Sequence, residues 1–138
     1  MITNIFKRMF LFVAVSVFSF NLHAADWTMA SGYPKSNFHT QNIIKFIDDV
    51  KSNTSVNINL NPNDTLIKLD AIKTSLQRGQ IPIGEIRLGI YGNEDPMYIL
   101  AGLPFIAPDY SSAWLLKDVQ MEYLQEKFAK KGLMILYT

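Results

Sequence analysis

Residues 79–107 read GQIPIGEIRLGIYGNEDPMYILAGLPFIA. The apolar segment from Ile81 to Leu88 predicts a β-strand, since turn residues bound it on both sides. Pro82 lacks the backbone N–H that a paired strand needs, so we expect regular pairing to begin after it. Side chains alternate between the two faces of a strand, so one face carries Ile83, Glu85 and Arg87. Opposite charges on an apolar strand are costly unless they are paired or face water, which makes Glu85 and Arg87 candidates for a site.

Before this strand in the sequence, the spacing of apolar residues alternates between that of a β-strand and that of a helix. Trp27 to Ala30 predicts a first strand, and Val56 to Leu60 predicts a second because its apolar residues alternate with Asn. Between them we expect a helix that begins after Ser36 or Asn37 and ends at Asn53. The buried stripe of this helix consists of Ile43, Phe46, Ile47 and Val50.

A further helix is predicted between the second and third strands. Asp64 or Thr65 can cap its start, and Gly79 lies where a residue in the left-handed conformation would end it. Its buried stripe consists of Leu69, Ile72 and Leu76.

The last part of the chain predicts one more helix and one more strand. Tyr110 to Lys131 has helical character, in one piece or with a break around Val119 to Met121, and Gly132 separates it from a strand over Leu133 to Tyr137. The order β-α-β-α-β-α-β predicts an α/β fold with helices on the faces of a sheet. Ligands of such sheets lie outside the carboxyl ends of the strands, which directs attention to the loops after Ala30, Leu60 and Leu88.

The first 25 residues have the pattern of a cleaved secretory signal peptide. Lys7 and Arg8 precede an apolar run, Met9 to Phe20, which is shorter than the roughly 20 residues of a membrane-spanning helix. Ala24 and Ala25 supply small residues for cleavage, so we expect residues 26–138 to form the exported chain. Without Lys7 and Arg8, eleven Lys and Arg stand against twelve Asp and Glu, a net charge of −1.

Composition argues against several function classes. The chain has no cysteine, which excludes disulfides, thiolate metal sites and cysteine nucleophiles. The charge is nearly balanced, so the sequence does not indicate nucleic-acid binding. His39 is the only histidine beyond residue 25, and no G-x-S-x-G motif occurs, which argues against an enzyme. A small exported enzyme that uses only carboxylates, and an exported interaction protein that binds no ligand, stay open as alternatives.

Five spaced segments carry a likeness to a known family. They are WTMASGYPKSNFHTQNIIKFIDDV (27–50), NPNDTLIKLDAIK (61–73), RGQIPIGE (78–85), YGNEDP (91–96) and LPFIA (103–107). In order and spacing they resemble the substrate-binding subunit of a tripartite ATP-independent periplasmic (TRAP) transporter, over essentially all of residues 26–138.

The resemblance implies a fold and a function. Members of this family have two α/β lobes of a type II-like periplasmic-binding-protein fold, bind an organic acid between the lobes, and deliver it to membrane permease subunits. Periplasmic localisation, a carboxylate ligand and the absence of a cofactor are therefore expected. Residues 26–138 resemble only the first, N-terminal lobe. The resemblance thus also implies a truncated protein, without the second-lobe arginine that holds the ligand carboxylate with its planar fork.

Five residues are candidates for ligand binding. Tyr33 and His39 bracket the loop after the first strand, and their alternative role is packing or capping. Lys68 lies near the start of the second helix, where its alternative role is that of a solvated lysine. Glu85 and Arg87 lie on the third strand; Glu85 can accept a hydrogen bond from a ligand and Arg87 can hold a carboxylate, or the two can form an ion pair beneath the hinge.

Neighbouring carboxylates occur in Asn93-Glu94-Asp95-Pro96. Acidic residues before proline are typical of a turn, and no histidine or third acid is spaced to complete a metal shell. We therefore expect a turn there and no metal site.

Overall fold

The computed structural model describes residues 25–138. The prediction of a signal peptide falls on residues outside this range, except for Ala25. Within the described range, three strands and three α-helices follow one another, and two 3₁₀ helices lie between β3 and α3. The strands are β1 (Asp26–Ala30), β2 (Asn57–Asn61) and β3 (Ile83–Gly84), and the helices are α1 (Phe38–Asn53), α2 (Ile72–Gln77) and α3 (Tyr110–Ala129). The 3₁₀ helices are Leu88–Tyr91 and Pro96–Gly102.

The three strands form a parallel sheet in the order β2-β1-β3. In the register of the sheet, Ala30 lies opposite both Asn61 and Gly84. All three strands therefore end at one edge, as expected for an α/β fold with helical crossovers. Pairing of β3 begins only after Pro82, as predicted.

The first helix and the second strand form as predicted. Asn37 caps α1 by accepting a hydrogen bond from the backbone N–H of His39 at 2.9 Å, which satisfies one of the donors at the helix start. The predicted stripe of α1 packs against the sheet in a core centred on Met29, Ile43, Ile58 and Ile83. On β2, Ile58 is buried and Asn59 is exposed, in keeping with the two-residue period of a strand.

Two further apolar clusters complete the core. One joins the sheet to α2 through Ala30, Ile72 and Ile81. The other joins the 3₁₀ helices to α3 through Tyr91, Tyr98, Leu124 and Phe128. No helix within residues 25–138 is long and apolar enough to cross a membrane.

The second predicted helix starts later than expected. Asp64 and Thr65 do not cap it, because Asn63 and Asp64 adopt left-handed conformations with φ of 59° and 57°. The Asp64 carboxylate instead accepts a hydrogen bond from the backbone N–H of Leu69 at 2.9 Å. Residues 64–71 therefore form a turn, and α2 begins at Ile72. Gly79 has φ of 67° and ends the segment in the left-handed conformation that was predicted.

The prediction of a helix from Tyr110 is confirmed in its single-piece form, since α3 runs from Tyr110 to Ala129 without a break. Two other expectations were wrong. The third strand covers only Ile83–Gly84, because the chain enters a 3₁₀ helix at Leu88. Residues 133–137 form no strand; Leu133 and Ile135 instead pack against the cluster of Tyr91, Tyr98, Leu124 and Phe128.

Candidate functional site

The carboxyl edge of the sheet brings three loops together. The backbone N–H of Ser31, directly after β1, donates to the carbonyl of Asn61 at 3.0 Å. The backbone N–H of Glu85, directly after β3, donates to the carbonyl of Ala30 at 2.9 Å. These two hydrogen bonds fix the first residues of the loops relative to one another. Because ligands of open α/β sheets bind outside the carboxyl ends of the strands, this edge is the candidate ligand-binding site.

A short hydrogen bond between two loops lies at the centre of this edge. Ser31 is 0% exposed, and its Oγ donates to Oε2 of Glu85 at 2.5 Å. The same Oγ accepts a hydrogen bond from the backbone N–H of Tyr33 at 3.3 Å. Glu85 is half-buried. Its carboxylate is thus held in a defined position at the end of β3.

Tyr33 and His39 lie together where the chain passes from Ser31 into α1. Their rings stack with centroids 5.1 Å apart and an angle of 28° between the planes. The ring of Phe38 lies 4.0 Å from His39 on the chain that enters α1. The Thr40 hydroxyl donates to the carbonyl of Tyr33 at 3.2 Å, which ties the loop to the helix. The stacked rings of Tyr33 and His39 therefore belong to the loop that follows Ser31 and to the first turn of α1, into which that loop leads.

Two glycines allow the layers beneath this edge to approach closely. A Cβ atom on Gly32 would lie 2.7 Å from the side chain of Leu69. A Cβ atom on Gly84 would lie 2.7 Å from Cγ2 of Ile72. Both distances are shorter than side-chain packing permits, so these positions require glycine to keep the 64–71 turn and α2 against the sheet.

The structure does not bring Lys68 and Arg87 into this cluster. Lys68 is exposed on the 64–71 turn, four residues before α2. Arg87 is exposed and directly precedes the first 3₁₀ helix. There it borders a shallow open groove of about 620 Å³, whose lining includes Leu88, Ile90, Ile99 and Leu103.

The predicted alternative of an ion pair between Glu85 and Arg87 does not form. Among residues 25–138, the side chain that binds the Glu85 carboxylate is Ser31. Sequence reasoning missed Ser31 as a site residue. The available signal was a small hydroxyl residue placed immediately after the first strand.

A second polar cluster surrounds the predicted turn at Asn93 to Pro96. The carboxylate of Glu94 contacts the ammonium groups of Lys73 and Lys131, the latter at 2.7 Å. Lys73 is only 2% exposed, and its ammonium lies 4.0 Å from the centroid of the Tyr91 ring. Hydrogen bonds from Lys131 and then from Lys73 lower the pKa of Glu94 below its ordinary value of 4.5.

The neighbouring carboxylate of Asp95 also has hydrogen-bond donors and an ammonium group around it. It accepts hydrogen bonds from the Tyr123 hydroxyl at 2.7 Å and from the backbone N–H of Met97 at 3.0 Å. The ammonium of Lys127 lies 3.1 Å away. The Tyr123 hydrogen bond, followed by that of Met97, lowers the pKa of Asp95 below its ordinary value of 3.8. The two acids therefore join the 3₁₀ helices to α2 and α3.

Comparison with solved structures finds close matches to this fold. DctP6 of Bordetella pertussis, an extracytoplasmic solute receptor binding pyroglutamic acid, is 40% identical with a TM-score of 0.79, and the match covers 82% of this chain and 38% of DctP6. DctP7 of the same organism, also a receptor binding pyroglutamic acid, is 32% identical with a TM-score of 0.78, over 83% of this chain and 38% of DctP7.

A third match comes from a marine metagenome. It is a TRAP solute-binding protein specific for pyroglutamate, solved with co-purified pyroglutamate, and it is 30% identical with a TM-score of 0.79. This match covers 84% of this chain and 39% of the other. No family model matches the chain, and no curated protein sequence matches it.

These comparisons confirm the predicted resemblance and fold class. The described residues have the α/β fold of one lobe of the TRAP solute-binding proteins. The chain spans 38–39% of the length of the three structures. All three neighbours are solute receptors rather than enzymes.

Proposed function

We propose that this chain binds a small organic acid in the periplasm and acts with TRAP membrane permease subunits in the uptake of that acid. The proposal starts from its fold, which is that of one lobe of a TRAP solute-binding protein. The observation that carries the proposal is the match to three pyroglutamate receptors at 30–40% identity over more than four-fifths of the chain. The chain acts as a binding protein in this proposal, and not as an enzyme.

The carboxyl edge of the sheet supplies the ligand site in this proposal. Tyr33 and His39 offer a stacked surface, and the His39 imidazole can donate a hydrogen bond to a carboxylate. Glu85 offers an acceptor for a ligand donor. Arg87 and Lys68, both exposed, supply positive charge around the edge that attracts an acid.

We expect weak affinity when this lobe alone contacts the ligand. A site on one lobe leaves the ligand partly in water, where an ion pair contributes about 1 kcal/mol or less. A dissociation constant in the millimolar range follows. A second lobe would remove water from the carboxylate and add hydrogen-bond donors, so joining such a lobe to this chain should strengthen binding.

A titration monitored by nuclear magnetic resonance tests the proposal. The purified chain, labelled with ¹⁵N, is titrated with pyroglutamate and with pyrrolidinone, which has the same ring without the carboxylate. We expect pyroglutamate to shift the amide signals of Ser31, Tyr33, His39 and Glu85, and pyrrolidinone to shift them less.

The variant pair Arg87→Ala and Arg78→Ala supplies the control. Arg78 is also exposed, but it follows α2 on the way into β3 and so lies at the opposite edge of the sheet. We expect the Arg87 variant to bind pyroglutamate less tightly and the Arg78 variant to bind normally. Absence of saturable shifts with pyroglutamate and with a panel of other carboxylates would overturn the proposed function.

A further inference from the structure

We infer that two copies of this chain associate through a two-fold symmetric contact, in which the Phe105 ring of each copy enters an apolar groove of the other. The groove is the open one of about 620 Å³ whose lining includes Leu88, Ile90, Ile99 and Leu103. The partner of this surface is therefore a second copy of the same chain. The contact is independent of the ligand in the proposed function.

Phe105 is held out in solvent by a turn that is unfavourable for a large side chain. It is 96% exposed and has φ of 62°. The backbone N–H of Ile106 donates to the carbonyl of Leu103 at 3.5 Å, so Pro104 and Phe105 are the two central residues of a turn. The left-handed position of such a turn ordinarily takes glycine. A bulky side chain held there, outside the core of its own chain, points to a partner for the ring.

The groove is apolar and has room for this ring. Ile90, Ile99 and Leu103 are 39%, 40% and 43% exposed, so the fold leaves much of their apolar surface uncovered. Gly89 and Gly102 also line the groove, and a Cβ atom at either position would have no neighbour within 4 Å. The space above these two glycines is therefore open to a side chain from another molecule.

Charge is absent from the centre of this surface and is opposite in sign at its ends. Residues 96–108 contain no Asp, Glu, Lys or Arg, and the cores of protein interfaces are likewise depleted in charged residues. Among the described residues that line the groove, Arg87 carries the charge. The first charged residue after Phe105 is Asp109, and both charged side chains are exposed. Arg87 of one copy and Asp109 of the other thus give the contact complementary charges.

The ring and the groove belong to the same patch of surface. Phe105 follows Leu103, which lines the groove, by two residues, and two residues span at most about 7 Å. A patch that carries both a projection and a groove for it can pair with itself about a two-fold axis. Both ring-in-groove contacts then form together, and the association closes at a dimer.

Two variants remove the two halves of the contact separately. Phe105→Gly deletes the ring and replaces it with the residue that suits the left-handed conformation, so this variant should fold normally. Gly89→Leu fills the groove from its own side, where the new side chain enters open space. Leu66→Ser and Ser36→Leu, which change exposed positions elsewhere, are the matched controls.

Sedimentation velocity at several concentrations measures the association, and circular dichroism confirms the fold. We expect a monomer–dimer equilibrium for the original chain and for both controls. Phe105→Gly and Gly89→Leu should each weaken the dimer at least about thirtyfold, the usual effect of losing an aromatic side chain at the centre of an interface.

Mixing the two variants tests whether the ring passes from one copy to the other. Phe105→Gly keeps an intact groove and Gly89→Leu keeps an intact ring, so a mixed dimer regains one of the two contacts. With a fluorescent label on one variant, we expect mixed dimers that are weaker than the original dimer but stronger than those of either variant alone. A merely structural defect in a variant would not be repaired by mixing.

Three results overturn the inference. They are an original chain that stays monomeric at every concentration, dimers of Phe105→Gly as stable as those of the original chain, and two folded, monomeric variants that form no mixed dimer. Each of these results leaves the proposed binding of an acid untouched.

Discussion

A single close approach shows how individual residues determine the position of the candidate ligand-binding edge. Gly84, the last residue of β3, faces Ile72 at the start of α2, and Ile72 is fully buried. Its replacement by alanine would place a Cβ atom 2.7 Å from Cγ2 of Ile72. Because both residues belong to rigid elements, the added methyl group must displace α2 from the sheet or distort β3.

We therefore expect Gly84→Ala to lower the free energy of unfolding by about 1–3 kcal/mol, the usual effect of overpacking a core. Gly89→Ala is the control, since a Cβ atom at Gly89 has no neighbour within 4 Å, and it should change stability little. Urea denaturation followed by circular dichroism measures both. Equal stability of the two variants would show that α2 accommodates the methyl group freely.

At the scale of elements, the Glu94 and Asp95 carboxylates connect the 3₁₀ helices to α2 and α3. Their pKa values in the folded protein lie below the ordinary values of 4.5 and 3.8. A carboxyl group whose pKa is lowered by folding stabilises the fold when it is ionised. This stabilisation is fully present above the ordinary values and is lost as the pH falls through the lower, folded-state values.

We expect the melting temperature to fall steeply in acid, below about pH 4. Glu94→Gln should melt at a lower temperature than the original chain at neutral pH, because it leaves Lys73, which is buried, without its counter-charge. The difference between the two proteins should shrink in acid, where Glu94 itself becomes neutral.

The matched control is Glu126→Gln, which removes an exposed pair with Lys130 one helical turn away and should have little effect. Thermal denaturation from about pH 7 to about pH 3 provides the measurement. A constant difference between Glu94→Gln and the original chain across this range would contradict the role given to this carboxylate.

The elements that could be predicted from the sequence are those whose apolar residues follow the helix or strand period over the whole element. Helix α1 has four apolar residues in one stripe and an Asn cap, and β2 alternates over its whole length, so both form as expected. The 64–71 turn shows why apolar periodicity does not predict every element. Leu69 and Leu76 do pack with Ile72 as predicted, but apolar spacing alone cannot reveal the left-handed conformations of Asn63 and Asp64.

The last predicted strand fails for a different reason. Residues 133–137 keep the alternation of a strand, with Leu133 and Ile135 packed inward. A strand also needs a partner with unpaired backbone groups, and a local pattern cannot show whether one lies alongside. The same limit applies to the site: Tyr33, His39 and Glu85 could be proposed from their loops, but the partner of Glu85 is 54 residues away in the sequence.

At the scale of the whole molecule, large apolar side chains are exposed on α3 and in the segment before it. Phe105 is 96% exposed, and Trp114 and Leu115 on α3 are 62% and 66% exposed. Tyr110 and Val119, also on α3, are exposed as well. Exposed apolar surface of this kind favours association between proteins.

We expect the purified chain to self-associate at rising concentration and the double variant Trp114→Gln, Leu115→Gln to associate less. Leu66→Gln, which replaces an exposed leucine on the 64–71 turn, is the control and should behave like the original chain. Sedimentation velocity at several concentrations measures the association. A monomer at every concentration would show that this apolar surface is too small or too well solvated to drive association.

We predict export as a second property of the whole molecule, and the proposed periplasmic role depends on it. The apolar run of Met9 to Phe20 is too short to span a bilayer, and it lies between a basic pair and two alanines, Ala24 and Ala25, which suits a signal peptidase.

We expect the protein recovered from the periplasm of an expressing bacterium to begin at Ala25 or Asp26, as read from its intact mass. Replacing both alanines by bulky leucines should block cleavage and leave a heavier, membrane-associated form, whereas Lys35→Ala, well beyond the cleavage site, should be processed normally. Recovery of the unmodified chain with Met1 intact in the cytoplasm would remove the basis for a periplasmic binding role, even if the purified protein bound an acid.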